Sequence, residues 1–329
     1  MTFDLLVEAL TRDVGGRHTL ITIGKGGVGK TTMSILASLV YSDRGETLLA
    51  SLDPAKHLLE YLGLQAPLRR VRVSGRLHAV QYDIAPIARR LSDEYATLLR
   101  QVMPALTILN LDDIVKSVRH APGFEEEVFL RILEELYGDE SVDYVVVDTP
   151  PTGVTHRILN LPRLYVFWLE RLYELRGRIV SLRYAMARAM GRREEPRDPV
   201  LDKLRSLHER YSKLWSMIRD PARTSAMIVA TPEPLPVYEA RETVEFLDSI
   251  GVKCRLIVAN RILPWDKAAE LGMAETQARS LEELLKLGGR GCVKVGVLQH
   301  RKAPRRLEEV RELSGLVVEI SEVLAEARV

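Results

Sequence analysis

The chain has 329 residues, 46% apolar and 28% charged, a composition that excludes a disordered polar chain and suits one large α/β domain or two ordinary ones. Its 47 basic and 45 acidic residues leave a net charge of +2, which excludes capture of nucleic acid by bulk electrostatics. No run of about eighteen apolar residues occurs, so no segment reads as membrane-spanning.

Met1 to Leu10 carries Asp4 and Glu8 and lacks the basic and apolar regions of a secretory signal, so the expected location is the cytoplasm. Strand-like runs then follow at 18–23, 47–52, 77–83, 144–148, 225–231, 253–262 and 292–298, with helical patterns between them. Strands that alternate with helices imply βαβ units and a mostly parallel, doubly wound sheet.

The first strand runs into Gly24-Lys25-Gly26-Gly27-Val28-Gly29-Lys30-Thr31-Thr32, and a helical pattern carrying Met33, Ile35, Leu36 and Leu39 follows. Such a string between strand and helix is a P-loop. Its glycines let successive N–H groups point into one anion-binding nest at a helix N-terminus. The expected ligand is a nucleoside triphosphate with Mg²⁺, Lys30 reaching the β/γ-phosphates and the Thr31 hydroxyl ligating the metal. Lys25 adds a second positive charge beside the phosphates, useful only where something needs neutralising.

The second strand ends in Leu52-Asp53-Pro54-Ala55. Strand carboxyl ends face the ligand crevice in such sheets, so Asp53 can orient an attacking water or hold Mg²⁺. The alternative is an N-cap for a helix over 56–62. The run Tyr144-Val145-Val146-Val147 is apolar on consecutive residues, as a central strand covered on both faces requires. It ends in Asp148-Thr149-Pro150-Pro151-Thr152-Gly153, with Asp148 at the Walker-B position, where a carboxylate binds Mg²⁺ directly or through water.

From 162 to 219 no strand candidate occurs, and two helical patterns flank Gly191 to Pro199. The first carries an apolar stripe of Leu161, Tyr165, Trp168, Leu172, Leu175, Ile179, Leu182, Met186 and Ala189, with Met190 just beyond. The second carries Leu201, Leu204, Leu207, Tyr211, Leu214 and Ile218. The stripes read either as a hairpin packed on itself and on the sheet or as a groove wall for an apolar ligand. Nine arginines against four glutamates between 163 and 197, and the adaptable Met186 and Met190, point partway toward the groove, but such an arginine run reads equally as a solvated face and both readings stay open. Asn260, at the end of the sixth strand, could meet an adenine edge or cap a turn. Cys254 and Cys292 lie far apart in sequence within apolar runs, so reduced, buried and inert thiols are expected.

Gly24 to Thr32 resembles the deviant Walker A of the Min/Par/arsenical-pump ATPase class, and Asp53-Pro54-Ala55 resembles its switch I. The run from Asp148 to Gly153, followed by Arg157-Ile158-Leu159, resembles switch II of the arsenical-pump ATPase family, which includes the guided-entry ATPase that targets tail-anchored proteins. Pro122 to Glu126, Asp220 to Thr224, Thr231-Pro232-Glu233 and Asn260 to Pro264 extend the similarity from about residue 17 to the C-terminus.

The resemblance implies an α/β P-loop NTPase domain (1–161 and 220–329) with an α-helical, client-binding insert (162–219). It implies a Mg²⁺-dependent ATPase that closes as a homodimer around two ATP molecules. Lys25 would reach into the partner's site, Asp53 would position the lytic water, Asp148 would hold the Mg²⁺ shell and Asn260 would contact adenine. Trp168, Leu172, Leu175, Ile179, Leu182, Met186 and Met190 would hold the transmembrane helix of a client for delivery to a membrane receptor. No zinc is expected, since the C-x-x-C that clips some dimers is absent. Lys56 stands before His57 where the family has alanine, and Gln299-His300-Arg301-Lys302 replaces a proline-rich adenine loop.

An energiser of metalloid efflux is the second reading, and two sequence-distant cysteines are a poor metalloid site. A partition-type ATPase is the third, but a tail carrying Glu308, Glu309, Glu312, Glu319, Glu322 and Glu326 suits anionic lipid badly.

Overall fold

The computed structural model describes residues 2–53, 57–63, 69–102, 123–191, 198–289, 291–300, 302, 304 and 306–327. Expectations placed on Pro54 to Lys56, Pro122, residues 192–197 and Arg301 fall outside these residues, as does the side chain of His57.

A nine-stranded sheet runs through the molecule in the order β3-β4-β2-β5-β1-β6-β7-β8-β9. Its strands are β1 (His18–Ile23), β2 (Thr47–Ser51), β3 (Val71–Ser74), β4 (Leu77–Gln81), β5 (Tyr144–Asp148), β6 (Thr224–Ala230), β7 (Cys254–Ile262), β8 (Val293–Leu298) and β9 (Val317–Glu319). All seven expected strands are present. They pair in parallel, while β3 and β9 join the margins antiparallel. Neither marginal strand was expected, because four half-exposed residues and a three-residue piece carry too little pattern to stand out.

Period-two alternation divides the central strands between two cores. Ile21 and Ile23 of β1 and Val145 and Val147 of β5 face one side, where they meet Phe129 and Leu133. Those two belong to α5 (Phe124–Gly138). Leu20 and Val146 face the other side with Met33, Ile35 and Leu36 of α2 (Lys30–Ser42), packed beside α1 (Thr2–Thr11). Each fully buried aliphatic side chain contributes about 1.5–3 kcal/mol, so both faces must be covered, and both are. The peripheral helices α3 (His57–Leu62) and α4 (Ile84–Val102) precede the α5 layer.

β5 leads into α6 (Thr152–Ala189), a single helix of 38 residues. The sequence placed a helical insert over 162–219, with its apolar stripe starting at Leu161. Pro162 instead lies inside α6, buried, where it cannot donate to the Ile158 carbonyl. The helix that starts beside Asp148 is therefore the same helix that forms the first arm of the hairpin. The second arm is α7 (Pro199–Arg219). Asp198 caps it, accepting from the Val200 and Leu201 N–H groups at 3.0 Å each, and Arg176 of α6 clamps the cap at 2.7 Å. Tyr211, Leu214 and Ile218 of α7 and Leu169 of α6 are buried in the core.

The chain continues through α8 (Pro234–Ile250), α9 (Trp265–Glu270), α10 (Ala274–Lys286), α11 (Leu307–Glu312) and α12 (Ile320–Glu326). Cys254 opens β7 and Cys292 immediately precedes β8. Both are buried as expected, but they are not dispersed in space: their sulfurs lie 3.1 Å apart. Parallel pairing of β7 with β8 brings together residues 38 apart in sequence. Among the described residues no helix is long and apolar enough to cross a membrane.

Candidate nucleotide site and apolar helix face

The P-loop joins β1 to α2 across the carboxyl end of the sheet. Gly29 precedes α2 with φ of +97°, a left-handed conformation that favours glycine. A Cβ there would run into the Asn260 amide, and a Cβ on Gly24 would run into the Val229 carbonyl. The loop is thus a cradle with no room for side chains behind it. Asn260 supports that cradle, since its Nδ2 donates to the Val28 carbonyl at 2.8 Å and its Oδ1 accepts from the Arg261 N–H at 3.0 Å. Arg261 takes φ of +60°, rare for a side-chain-bearing residue and concentrated at ligand crevices.

Asn260 also lines a cavity of about 290 Å³ with Thr32, Tyr61, Arg261, Gln299 and His300. The Tyr61 hydroxyl meets Thr32 Oγ1 at 3.1 Å. The amide therefore reaches the cavity expected to take a base, with one donor and one acceptor already committed to the protein.

Asp148 ends β5, wholly buried. Its Oδ2 accepts from Thr31 at 2.8 Å and from Ser51 at 3.2 Å, while its Oδ1, buried, has no hydrogen-bond partner. Burial pushes the carboxyl up to about 6, against the pull of the Thr31 hydrogen bond and the Lys30 charge. A carboxylate that costs free energy to ionise, with one oxygen unpartnered beside a threonine hydroxyl, suits a hard divalent cation. The residues present therefore fit Mg²⁺: Thr31 and Asp148 would hold it, the latter directly or through water.

Lys30 Nζ donates to the Lys25 carbonyl at 3.2 Å. Burial pulls the ammonium down from its ordinary value, opposed by Asp148, Asp53 and Glu239. Asp53 follows β2 as expected, its carbonyl accepting from Gln81 at 2.9 Å. Lys25 Nζ stands 3.8 Å from Glu239 of α8, and Glu239 also accepts from the Thr152 hydroxyl at 3.2 Å. Thr149 donates to the Thr22 carbonyl at 2.6 Å, tying the loop after β5 to β1.

Sequence reasoning missed Ser51 and Glu239. Both had a signal: Ser51 is the last residue of a strand ending at the crevice, and Glu239 lies in the second turn of the helix that follows β6. The apolar stripe of α6 is partly buried at Leu161 and Tyr165 and faces outward from Trp168 on, while other residues of the helix fill the inner face. Leu169, Val180 and Ala187 face inward, whereas Trp168, Leu172, Leu175, Ile179, Leu182, Met186 and Met190 are 46–67% exposed. Leu164 and Phe167 extend that outer face.

A parallel sheet with a P-loop at its carboxyl edge, a buried Walker-B aspartate and a second lysine in the loop define a P-loop ATPase of the deviant Walker A class. The anion-transporting ATPase family matches residues 17–286, and the chain belongs to that family. An Aquifex aeolicus protein provisionally named arsenical pump-driving ATPase 2 is 28% identical over 266 residues, 79% of this chain and 86% of its own. ATPase ASNA1 homolog 1 of Paramecium tetraurelia is 26% identical over 319 residues, 94% of each chain. ATPase GET3A of Arabidopsis thaliana is 28% identical over 288 residues, 85% of this chain and 78% of its own. The protein is an ATPase.

Proposed function

We propose that this ATPase works as a homodimer that closes around ATP and, in closing, shapes a surface for the transmembrane helix of tail-anchored client proteins. One observation carries the reading: a row of large apolar side chains stands exposed along α6, the helix whose first residue touches the nucleotide site through Glu239. Exposed apolar surface on this scale marks an interaction site. From Trp168 to Met190 the row measures about 33 Å at 1.5 Å per residue, close to the thickness of a bilayer core of about 30 Å. A client helix would thus find apolar contact along its whole length. Met186 and Met190 let the surface adapt to different sequences.

The hydrolytic roles we assign rest on the loop, the two lysines and the two strand-end aspartates lying at one edge of the sheet. The P-loop amides and Lys30 would hold the β/γ-phosphates, and Asp53 would orient the attacking water. Bound Mg²⁺ would neutralise charge developing on the phosphates. Lys25 would exchange Glu239 for the phosphates of the partner's ATP, making hydrolysis depend on closure. Loss of the γ-phosphate would be transmitted through the Asp148–Thr152 loop to α6, and the hairpin would open. The expected place of action is the cytoplasm, with a membrane receptor accepting the client.

Co-expression with a tail-anchored protein tests this reading. A soluble complex that falls apart after ATP hydrolysis supports it; a client that stays aggregated whatever the nucleotide contradicts it. The name of the Aquifex relative favours a second reading, an ATPase that energises a metalloid pump. Strong stimulation of turnover by arsenite would favour that one.

A further inference from the structure

We infer that Cys254 and Cys292 are a redox-active pair that closes into an intramolecular disulfide, stapling the start of β7 to the start of β8. Their sulfurs are 3.1 Å apart, so a bond of about 2 Å needs only about 1 Å of movement. Both thiols are buried in one apolar cluster with Ile257, Leu287 and Ile320. Gly288 closes the pocket. It has φ of +75°, and a Cβ on it would approach Cys292 to 2.9 Å, so the loop backbone packs directly on the second sulfur.

Two further observations separate a disulfide from other fates of a buried dithiol. A structural metal needs about four ligands, and among the described residues no group of three or more His, Cys, Asp or Glu side chains could hold one. The pair is also chemically unequal. Hydrogen bonding from Cys254 and the charge of Lys294 pull the Cys292 thiol down, whereas hydrogen bonding and burial push Cys254 up.

The oxidant class is a low-molecular-weight disulfide. The Cys292 thiolate attacks one of its sulfurs, forming a mixed disulfide and expelling one thiolate, which takes up the proton that Cys292 released. The Cys254 sulfur then attacks Cys292, expelling the second thiolate, which takes up the Cys254 proton. Two thiols are oxidised to one cystine and one small disulfide is reduced to two small thiols.

The bond lies at the amino ends of β7 and β8. At their carboxyl ends the same strands carry Asn260 and Leu298, which line the cavity beside the P-loop. The staple therefore fixes the register of two strands that frame the nucleotide site without touching it. It closes the segment holding α9 and α10.

The test equilibrates the full chain with glutathione buffers from reducing to oxidising, then counts thiols in denaturant and measures intact mass. The expected oxidised chain is monomeric by mass, has no titratable thiol, has lost two hydrogens, and unfolds roughly 5 °C higher than the reduced chain. Cys254→Ser and Cys292→Ser should each keep one thiol or carry one glutathione, with no such rise. Two free thiols in the wild-type chain after excess oxidised glutathione, two bound glutathiones, or disulfide-linked dimers would each overturn the inference.

Discussion

Lys25 Nζ stands 3.8 Å from Glu239 Oε1 of its own chain, and Glu239 accepts from Thr152, the first residue of α6. Both members of the ion pair are about a quarter to a third exposed, and such a pair contributes about 0.2–1 kcal/mol. That is weak enough for Lys25 to exchange Glu239 for a partner's phosphates when two copies close. Glu239→Gln should therefore ease nucleotide-dependent dimerisation, lowering the ATP concentration at half-dimer by up to about 5-fold. Sedimentation against a non-hydrolysable ATP analogue measures it, and a variant that dimerises less readily would contradict the exchange.

Lys25→Ala should lower turnover at the partner's site. In mixed dimers carrying one wild-type and one mutant chain, the defect is expected at the wild-type chain's nucleotide, which Lys25 of the mutant fails to reach. A defect confined to the mutant's own nucleotide would place the lysine in its own site.

Asp53→Asn should bind ATP normally and hydrolyse it at least about 10²-fold more slowly, because the amide cannot accept a proton from the attacking water. Turnover near the wild-type rate, measured under saturating ATP, would remove Asp53 from that role.

Asp148 gives a pH signature. Its carboxyl is raised to about 6 in the folded chain, so the protonated form favours folding. That stabilisation is present below about pH 4 and is lost as pH rises through 6, a cost of about 2–3 kcal/mol at neutral pH. In chelator at pH 8, Asp148→Asn should unfold at a higher temperature than wild type, and the two curves should converge toward pH 4. Adding Mg²⁺ and ATP should reverse the ranking.

His18 titrates in the opposite sense. Burial, with the Arg255 and Lys253 charges, lowers the imidazole to about 4, while it meets the Ala222 carbonyl at 2.9 Å and Ser225 at 2.8 Å. The neutral ring favours folding above pH 6.5, and about 3 kcal/mol of that is lost as pH falls through 4. His18→Gln should flatten the acid limb of stability between those values. An unchanged acid limb, read by denaturant melts at each pH, would assign that limb to other groups.

The legible part of this molecule was the part with strong local periodicity or crowded glycines. Seven strands, the P-loop, Asp53 and Asp148 all stand where the sequence put them, because short apolar runs and a loop with no room for a Cβ at Gly24 or Gly29 leave few alternatives. The marginal strands β3 and β9 were not legible, since half-exposed antiparallel edges carry little pattern. The continuity of α6 was not legible, because proline usually ends or kinks a helix and Pro162 is tolerated here inside a buried turn. The pairing of Lys25 with Glu239, and of Cys254 with Cys292, depends on which strands are neighbours, and no local window contains that information. The orientation of the α6 stripe was open for the same reason: spacing identifies a face, whereas the packing of α7 decides which face stays exposed.

A client helix held on the outer face of α6 under nucleotide control would lie against Leu182. A photo-cross-linking residue in place of Leu182, which is 66% exposed and can change without disturbing the core, reports directly on that face. With ATP bound and hydrolysis blocked by Asp53→Asn, the probe should cross-link to a tail-anchored client along its transmembrane helix, and added Leu175→Asp and Ile179→Asp substitutions should abolish the product without altering ATP binding. A folded, ATP-binding chain whose probe never reaches the client helix would contradict the account.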